Sequence, residues 1–159
     1  RADTFVGPLI SDGETSRIEE WVGAAVSGGA SVSAGGERTG TVFAPTVLKD
    51  VSPAMDVISK ETFGPVVSLV PFDDLQRAIA DINDTPYGLA AGIFTADLTS
   101  ALTAARQLRM GSVHINETSS SRVDLMPYGG VKASGSGVEG PRYAIEEMTE
   151  QRLITIDAP

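Results

Sequence analysis

The sequence contains no cysteine and a single histidine, His114. Without cysteine, the chain can form no disulfide framework and can supply no thiol nucleophile of its own. One histidine without a thiolate also cannot build a zinc site from Cys and His ligands. His114 lies in a short apolar run, and no serine or carboxylate stands at a spacing typical of a catalytic partner. A packed histidine is therefore favoured over a general base. We therefore predict that the chain holds no metal.

The sequence also lacks a long apolar run and an excess of basic residues. No stretch approaches the roughly 20 apolar residues needed to cross a bilayer, and none resembles a signal peptide. Asp and Glu number 21 against 12 Lys and Arg, which gives a formal net charge of −9. A surface of this sign repels nucleic-acid phosphates and anionic lipids. We predict no nucleic-acid partner, no membrane association and a cytoplasmic location.

The length of 159 residues, 42% of them hydrophobic, is typical of one compact domain with its own core. Apolar residues at helical spacing, and a proline suited to a first turn, predict helices over about 14–27, 75–82 and 98–108 and from Pro141. Short β-rich runs predict strands within 42–48, 66–72, 89–94, 112–115 and 153–156. Because the chain begins at Arg1, we also expect it to be a piece of a larger protein.

Strands and helices alternate between residues 66 and 115, which is the pattern of parallel βαβ units. The predicted class is therefore α/β, with three layers and a partly parallel sheet. The stretch 116–140 is too long for an ordinary connection, so we expect it to be functional. Its Gly135–Gly140 segment matches G-x-G-x-x-G, but no strand is predicted before it, which disfavours a phosphate loop.

Three segments carry a more specific signal. They read Lys-Glu-Thr-Phe-Gly-Pro at 60–65, Asn-Asp-Thr-Pro-Tyr-Gly-Leu-Ala at 83–90, and Pro-Tyr-Gly-Gly-Val-Lys-Ala-Ser-Gly-Ser-Gly-Val-Glu-Gly at 127–140. In this order and spacing, with Val-Gly-Pro-Leu-Ile at 6–10 and Glu-Glu-Met-Thr-Glu at 146–150, they closely resemble the C-terminal part of the NAD(P)-dependent aldehyde dehydrogenases. The resemblance covers essentially the whole chain.

The resemblance implies that Glu61 and Phe63 bind NAD or NADP. In the family, the Glu of Glu-x-Phe-Gly-Pro bonds the hydroxyls of the nicotinamide ribose, and the Phe packs beside the ring. The chemistry fits, because a carboxylate accepts two neighbouring hydroxyl donors and an aromatic face limits the motion of a ring. The site that distinguishes NAD from NADP belongs to the family's Rossmann half, which has no counterpart here.

The resemblance also implies that the loop after the predicted strand at 112–115 lines the substrate entrance. Its Asn116, Glu117 and Arg122 are the candidate substrate contacts. Arg122 either holds an anionic tail with forked hydrogen bonds or is a surface residue paired with Asp124. The loop is similar to that of a subgroup acting on small polar aldehydes, which includes the lactaldehyde, phosphonoacetaldehyde and non-phosphorylating glyceraldehyde-3-phosphate dehydrogenases. The expected substrate is a small aldehyde that is anionic or hydroxylated.

Glu139 matches a buried Glu that the family places on a proton path near the nucleophile. A simple solvated Glu is the alternative, since Val138 stands where the common form has a basic residue. The family oxidises an aldehyde to a carboxylic acid through a Cys thiohemiacetal, but its Cys precedes everything present in this chain. We therefore expect a fragment of an oxidoreductase that is inactive alone.

The resemblance divides the chain into two parts. Residues 1–151 correspond to the C-terminal part of the catalytic domain, and residues 152–159 to a terminal strand that pairs between subunits. A homo-oligomer is therefore expected. The alternative is a non-catalytic interaction or oligomerisation module derived from that domain, because an apolar strand left at an edge is a ready template for pairing.

Overall fold

The structure is a computed structural model that describes residues 4–157. The chain forms two compact units, one up to Pro71 and one from Phe72. Its length alone predicts a single domain. Among residues 4–157, no helix combines the length and the apolar character needed to cross a membrane.

The first unit contains a three-stranded sheet with the strand order β1-β4-β5. Its central strand, β4, is antiparallel to β1 and parallel to β5, while β2 and β3 form a separate antiparallel pair. The elements, in chain order, are α1 (Asp12–Ser27), β1 (Ser31–Ala34), β2 (Arg38–Thr39), β3 (Val42–Phe43), β4 (Thr46–Lys49), α2 (Asp56–Ser59) and β5 (Val66–Ser68).

Helix α1 begins at a serine cap and ends at a glycine. The Ser11 hydroxyl accepts a hydrogen bond from the Glu14 amide at 3.2 Å, and the Gly28 amide caps the other end. The helix buries one face, on which Ile18 and Val22 are four residues apart. This face packs with the other buried residues of the unit, among them Ala25, Ala30, Phe43, Leu48 and Val57.

The second unit is built around a parallel βαβ unit. Strands β6 and β7 pair in parallel, from Ala90 opposite Ser112 to Ile93 opposite Ile115, and helix α4 connects them. The elements are α3 (Leu75–Asn83), β6 (Ala90–Ile93), α4 (Leu98–Gln107), β7 (Ser112–Ile115), a short 3-10 helix (Lys132–Ser134) and α5 (Pro141–Met148).

Aspartate caps fix the starts of two helices in the second unit. The Asp74 carboxylate accepts from the amides of Gln76 and Arg77 at 2.7 and 3.2 Å, and α3 begins there. The Asp97 carboxylate accepts from the Ser100 amide at 2.7 Å, so Asp97 caps α4.

A second hydrophobic core lies between helices α3 and α4 and strands β6 and β7. Its buried side chains are Ile79, Ala104 and Leu108.

The α/β class and the parallel pairing are confirmed, but three details differ from expectation. The run at 42–48 forms two strands, β3 and β4, because Pro45 lacks the amide hydrogen that a continuous strand needs. The run at 89–94 is apolar on both faces, which predicts a buried strand, but β6 is only half-buried, since β7 is its one partner in the described part of the chain. Strand β5 belongs to the sheet of β4, so the predicted βαβ pattern holds only for β6-α4-β7.

The C-terminal segment lies outside regular secondary structure. Residues 151–157 form neither helix nor strand, and the apolar side chains of Leu153, Ile154 and Ile156 are 71 to 88% exposed. The strand predicted at 153–156 is thus not formed within the single chain, and its pairing with another subunit stays a prediction. Residues 1–3, which include Arg1, and residues 158–159 at the end of the predicted terminal strand lie outside the described residues.

Candidate functional site

The loop before β5 presents an aromatic side chain on an unusual backbone. Phe63 has a φ of +45°, in the left-handed region that bulky residues rarely adopt, and its side chain is 75% exposed. Glu61 lies in the same loop and is also exposed. Strained backbone of this kind persists where surrounding contacts enforce it, and it concentrates at ligand sites. Both predicted cofactor residues are therefore displayed on one loop of the first unit.

Helix α1 holds this loop through Arg17. The guanidinium Nη2 donates to the Thr62 carbonyl oxygen at 2.8 Å, directly before Phe63. The same guanidinium donates from Nε and Nη2 to the Glu14 carboxylate at 2.9 and 2.7 Å. It also lies 4.5 Å from the centre of the Trp21 ring, within the range of a cation–π interaction. Arg17 is a supporting residue that sequence reasoning missed, because nothing at position 17 signals a partner 45 residues away.

Glycine is required on the other side of Phe63. A Cβ at Gly64 would lie 2.8 Å from Cδ1 of Ile18, which is fully buried. The loop can therefore approach α1 this closely only with glycine at position 64. Gly64 of the motif therefore has a packing role in addition to the display of Phe63.

The second unit contains the remaining predicted site residues. Asn116 directly follows β7, has a φ of +56°, and accepts a hydrogen bond from the Thr95 amide at its Oδ1, at 2.8 Å. This bond links the segments that follow two neighbouring parallel strands, β6 and β7. The exposed Glu117 accepts from the Thr118 amide at 2.8 Å, a contact that orders the start of the loop.

Arg122 and Glu139, predicted for different roles, form an ion pair. Arg122 Nη2 donates to Glu139 Oε2 at 3.1 Å, and the side chains are 46% and 67% exposed. The Arg122 guanidinium carbon also lies 4.4 Å from the centre of the Tyr128 ring. The pairing of Arg122 with Asp124, the alternative drawn from sequence, is not found among the ion pairs of residues 4–157. Among the described residues the Glu139 side chain is exposed, whereas the resemblance implies a buried Glu.

Backbone pairing brings Glu139 to this position. The amide of Tyr128 donates to the Glu139 carbonyl oxygen at 3.1 Å, and the Glu139 amide donates back at 2.6 Å. The chain between them is thereby closed into a turn. Two shallow cavities lie beside Tyr128, one of about 310 Å³ that includes Glu139 and Glu147 and one of about 240 Å³ that includes His114 and Arg122.

The motifs at 83–90 and 127–140 contact each other. Lys132 has a φ of +57° and donates from Nζ to the carbonyl oxygens of Asn83 and Thr85, at 3.0 and 3.2 Å. The Gly88 amide donates to the Ser134 hydroxyl at 2.8 Å, and the Val131 amide donates to the Gly88 carbonyl oxygen at 2.9 Å. Lys132 therefore anchors the turn that carries Glu139.

No cluster of three or more potential metal ligands occurs in the part of the chain that the structure describes, residues 4–157. The predicted site residues thus offer carboxylates, an amide, a guanidinium and an exposed aromatic ring. These groups can bind polyol hydroxyls, anions and a planar ring.

Comparison with known proteins decides the family. The model of the family described as "Aldehyde dehydrogenase family" matches residues 1–154. This chain belongs to the aldehyde dehydrogenase family. It is 49% identical to a 3-sulfolactaldehyde dehydrogenase of Priestia aryabhattai over 154 residues, which are 97% of this chain and 32% of that protein.

Solved structures of other aldehyde dehydrogenases share the fold. Aldehyde dehydrogenase 21 of Physcomitrella patens, in complex with the reaction product succinate, matches with a TM-score of 0.90 and 42% identity over 94% of this chain and 31% of that chain. The glyceraldehyde-3-phosphate dehydrogenase GapN of Methanocaldococcus jannaschii, complexed with NADP, matches with a TM-score of 0.88 and 40% identity, over 93% and 32%. The chain therefore spans about a third of the length of the curated relatives it matches.

Proposed function

We propose that this chain is the C-terminal part of the catalytic domain of an NAD(P)-dependent aldehyde dehydrogenase. The observation that carries the proposal is Phe63, exposed on a left-handed backbone within the Glu-Thr-Phe-Gly-Pro segment. A strained loop that keeps an apolar ring in solvent costs folding free energy. Binding of a ligand to the ring accounts for that cost. Family membership makes a nicotinamide nucleotide the natural ligand.

In this proposal, Glu61 and Phe63 hold the nicotinamide half of NAD or NADP. Both side chains are exposed on one loop, so they can reach a bound nucleotide. The Glu61 carboxylate accepts hydrogen bonds from ribose hydroxyls, and the Phe63 ring limits the motion of the nicotinamide. The nucleotide supplies the hydride acceptor when bound. A relative complexed with NADP supports the cofactor class.

Glu139 is proposed as a proton relay and not as the nucleophile. Its exposed carboxylate can accept a proton released during thioester hydrolysis and pass it to water. The thiol nucleophile has to come from outside this sequence, which has no cysteine. We therefore expect the 159-residue chain to have no aldehyde dehydrogenase activity by itself.

The proposed substrates are small polar aldehydes, anionic or hydroxylated, with Asn116, Glu117 and Arg122 lining their entrance. The guanidinium of Arg122 suits a carboxylate, sulfonate or phosphate tail, since its fork of donors matches a planar or tetrahedral oxyanion. A sulfolactaldehyde dehydrogenase and an enzyme solved with succinate are among the relatives, and both names describe anionic compounds. A place within the lactaldehyde and glyceraldehyde-3-phosphate subgroup is part of this proposal.

The exposed apolar segment at 153–156 is proposed to pair with another subunit in a homo-oligomer. Leu153 and Ile156 are each 88% exposed, and an apolar segment with free backbone groups is a template for strand addition. The location in the cytoplasm also remains a prediction. No observation favours a purely non-catalytic module over the enzyme part.

The test uses the full-length protein that carries this chain. Glu61→Gln replaces the carboxylate by an amide, and the KM for NAD(P) should rise about tenfold, because hydrogen bonds to a charged acceptor are among the strong ones. Glu20→Gln, an exposed change on α1, is the control. An unchanged KM for the nucleotide in the Glu61 variant would contradict the assignment. Robust NAD(P)-dependent turnover by the 159-residue chain would contradict the proposed inactivity.

A further inference from the structure

Arg122 is already neutralised by a carboxylate of its own chain. Its Nη2 lies 3.1 Å from Glu139 Oε2, while its guanidinium carbon lies 4.4 Å from the centre of the Tyr128 ring. The cation is thus held between a ring face and a carboxylate. Two backbone hydrogen bonds join Glu139 to Tyr128, so the Glu139 carboxylate lies within reach of the cation that stacks on the Tyr128 ring.

The surroundings contain few other positive charges. Of the described residues that line the two cavities beside Tyr128, Arg122 is the one Lys or Arg, whereas Glu139 and Glu147 both contribute carboxylates. An anion that enters here has one cation to bind, and that cation has a carboxylate partner in place. A substrate anion and the Glu139 carboxylate therefore compete for the same guanidinium donors.

We infer that Glu139 is a specificity-determining counter-ion of Arg122, one that an anionic substrate displaces and a neutral aldehyde leaves in place. This inference rests on the proposed function, in which Arg122 receives the substrate's anionic tail. It assigns Glu139 a role that depends on the charge of the substrate. In this arrangement Glu139 lowers the affinity for anions, and its carboxylate leaves the guanidinium when an anion binds Arg122.

The inference predicts that replacing Glu139 raises the affinity for anions. General damage to the protein would lower that affinity instead. In the full-length protein that carries this chain, Glu139→Gln should tighten binding of inorganic sulfate about two- to fivefold, the range expected from releasing an exposed ion pair. Arg122→Gln should weaken sulfate binding, and the double variant should show no gain. Sulfate affinity is measured by calorimetry and as inhibition of aldehyde oxidation.

The chain offers a matched control in helix α5. Glu146 accepts from Arg142 Nε at 2.8 Å, so Glu146→Gln opens an exposed Arg–Glu pair whose residues line neither of the two cavities. This control should leave sulfate affinity unchanged. Glu139→Gln is expected to lower kcat for propanal, a neutral aldehyde, through loss of the proton relay, so the counter-ion role is judged from sulfate affinity alone. Glu139→Ser is a second variant with the same expectation.

Two results would overturn the inference: unchanged or weaker sulfate binding in both Glu139 variants, or sulfate binding that Arg122→Gln does not affect. These outcomes are distinct from failure of the proposed function. If the wild-type full-length protein neither binds NAD(P) nor oxidises any aldehyde, the proposed function fails whatever the sulfate data show. If it does both while sulfate affinity ignores Glu139, only the counter-ion role is lost.

Discussion

Arg17 donates a hydrogen bond to the carbonyl oxygen of Thr62 at 2.8 Å, directly before the residue whose backbone is left-handed. The bond ties helix α1 to the loop that displays Phe63. Its donor is charged and stacked on Trp21, so it is well placed to hold the loop in a conformation that the chain would not adopt freely.

We predict that Arg17→Gln raises the KM for NAD(P) of the full-length protein about tenfold, since a charge-assisted hydrogen bond of about 1.5 kcal/mol is lost. The KM for the aldehyde should change little, because Arg17 acts through the Phe63 loop. Arg17→Lys keeps one donor and should recover part of the nucleotide affinity. Initial-rate kinetics check both values, with the exposed Arg142→Gln as control. Equal nucleotide and aldehyde defects would point to general destabilisation instead.

A second prediction concerns two glycines near the same helix. Gly64→Ala places a methyl group 2.8 Å from Cδ1 of the buried Ile18 and should destabilise the chain by about 1–3 kcal/mol. Gly23→Ala, within α1 and with no atom within 4 Å of the added Cβ, should stabilise it by about 0.5–1 kcal/mol. Urea unfolding of the chain measures both.

The Gly64 explanation has its own check. Ile18→Val removes the Cδ1 atom that the new methyl group meets, so Gly64→Ala should cost less in that background than in the wild type. Equal costs in the two backgrounds would show that the contact with Ile18 is not the reason for glycine at this position.

Local signals in the sequence predict much of this fold. The apolar spacing of Ile18 and Val22, the aspartates that cap α3 and α4, and Pro141 in the first turn of α5 each act within a few residues, and each lies where such residues are favoured in a helix. Strand pairing is harder to predict from the sequence, because the partner of a short strand is set by residues far along the chain. The membership of β5 in the sheet of β4 is an example.

Contacts between distant residues are equally hard to predict at the candidate site. Its motifs can be recognised as separate segments, but the hydrogen bonds between Lys132 and the carbonyl oxygens of Asn83 and Thr85 join residues more than 45 positions apart. The sequence offers Asp124, two residues away, as a partner for Arg122, whereas the pairing of Tyr128 with Glu139 brings a more distant carboxylate to it. Side-chain partners fixed by a turn of this length leave no periodic pattern in the sequence.

A third prediction concerns Asn83, whose side chain joins the ends of two helices. Its Nδ2 donates to the Gln107 carbonyl oxygen at 2.8 Å, and its Oδ1 accepts from the Arg109 amide at 2.7 Å. Asn83→Ala removes both bonds and should destabilise the chain by about 1–2 kcal/mol in urea unfolding. Asn83→Asp keeps the acceptor but loses the donor beside a helix C-terminus, where a negative charge is unfavourable. A stability equal to that of the wild type in both variants would contradict this role.

The last prediction is a pH dependence at the start of α4. The hydrogen bonds from Ser100 lower the pKa of the Asp97 carboxyl below its usual value of 3.8. A carboxyl whose pKa is lowered by folding stabilises the folded state above its unfolded pKa, and this contribution disappears as the pH falls through the folded value. Asp97→Asn keeps a capping oxygen that does not titrate in this range. Thermal melts between pH 3 and pH 6 should therefore show a steeper loss of stability on acidification for the wild type than for Asp97→Asn, because only the wild-type cap is protonated. Parallel curves would mean that the Ser100 hydrogen bond does not favour the charged carboxylate.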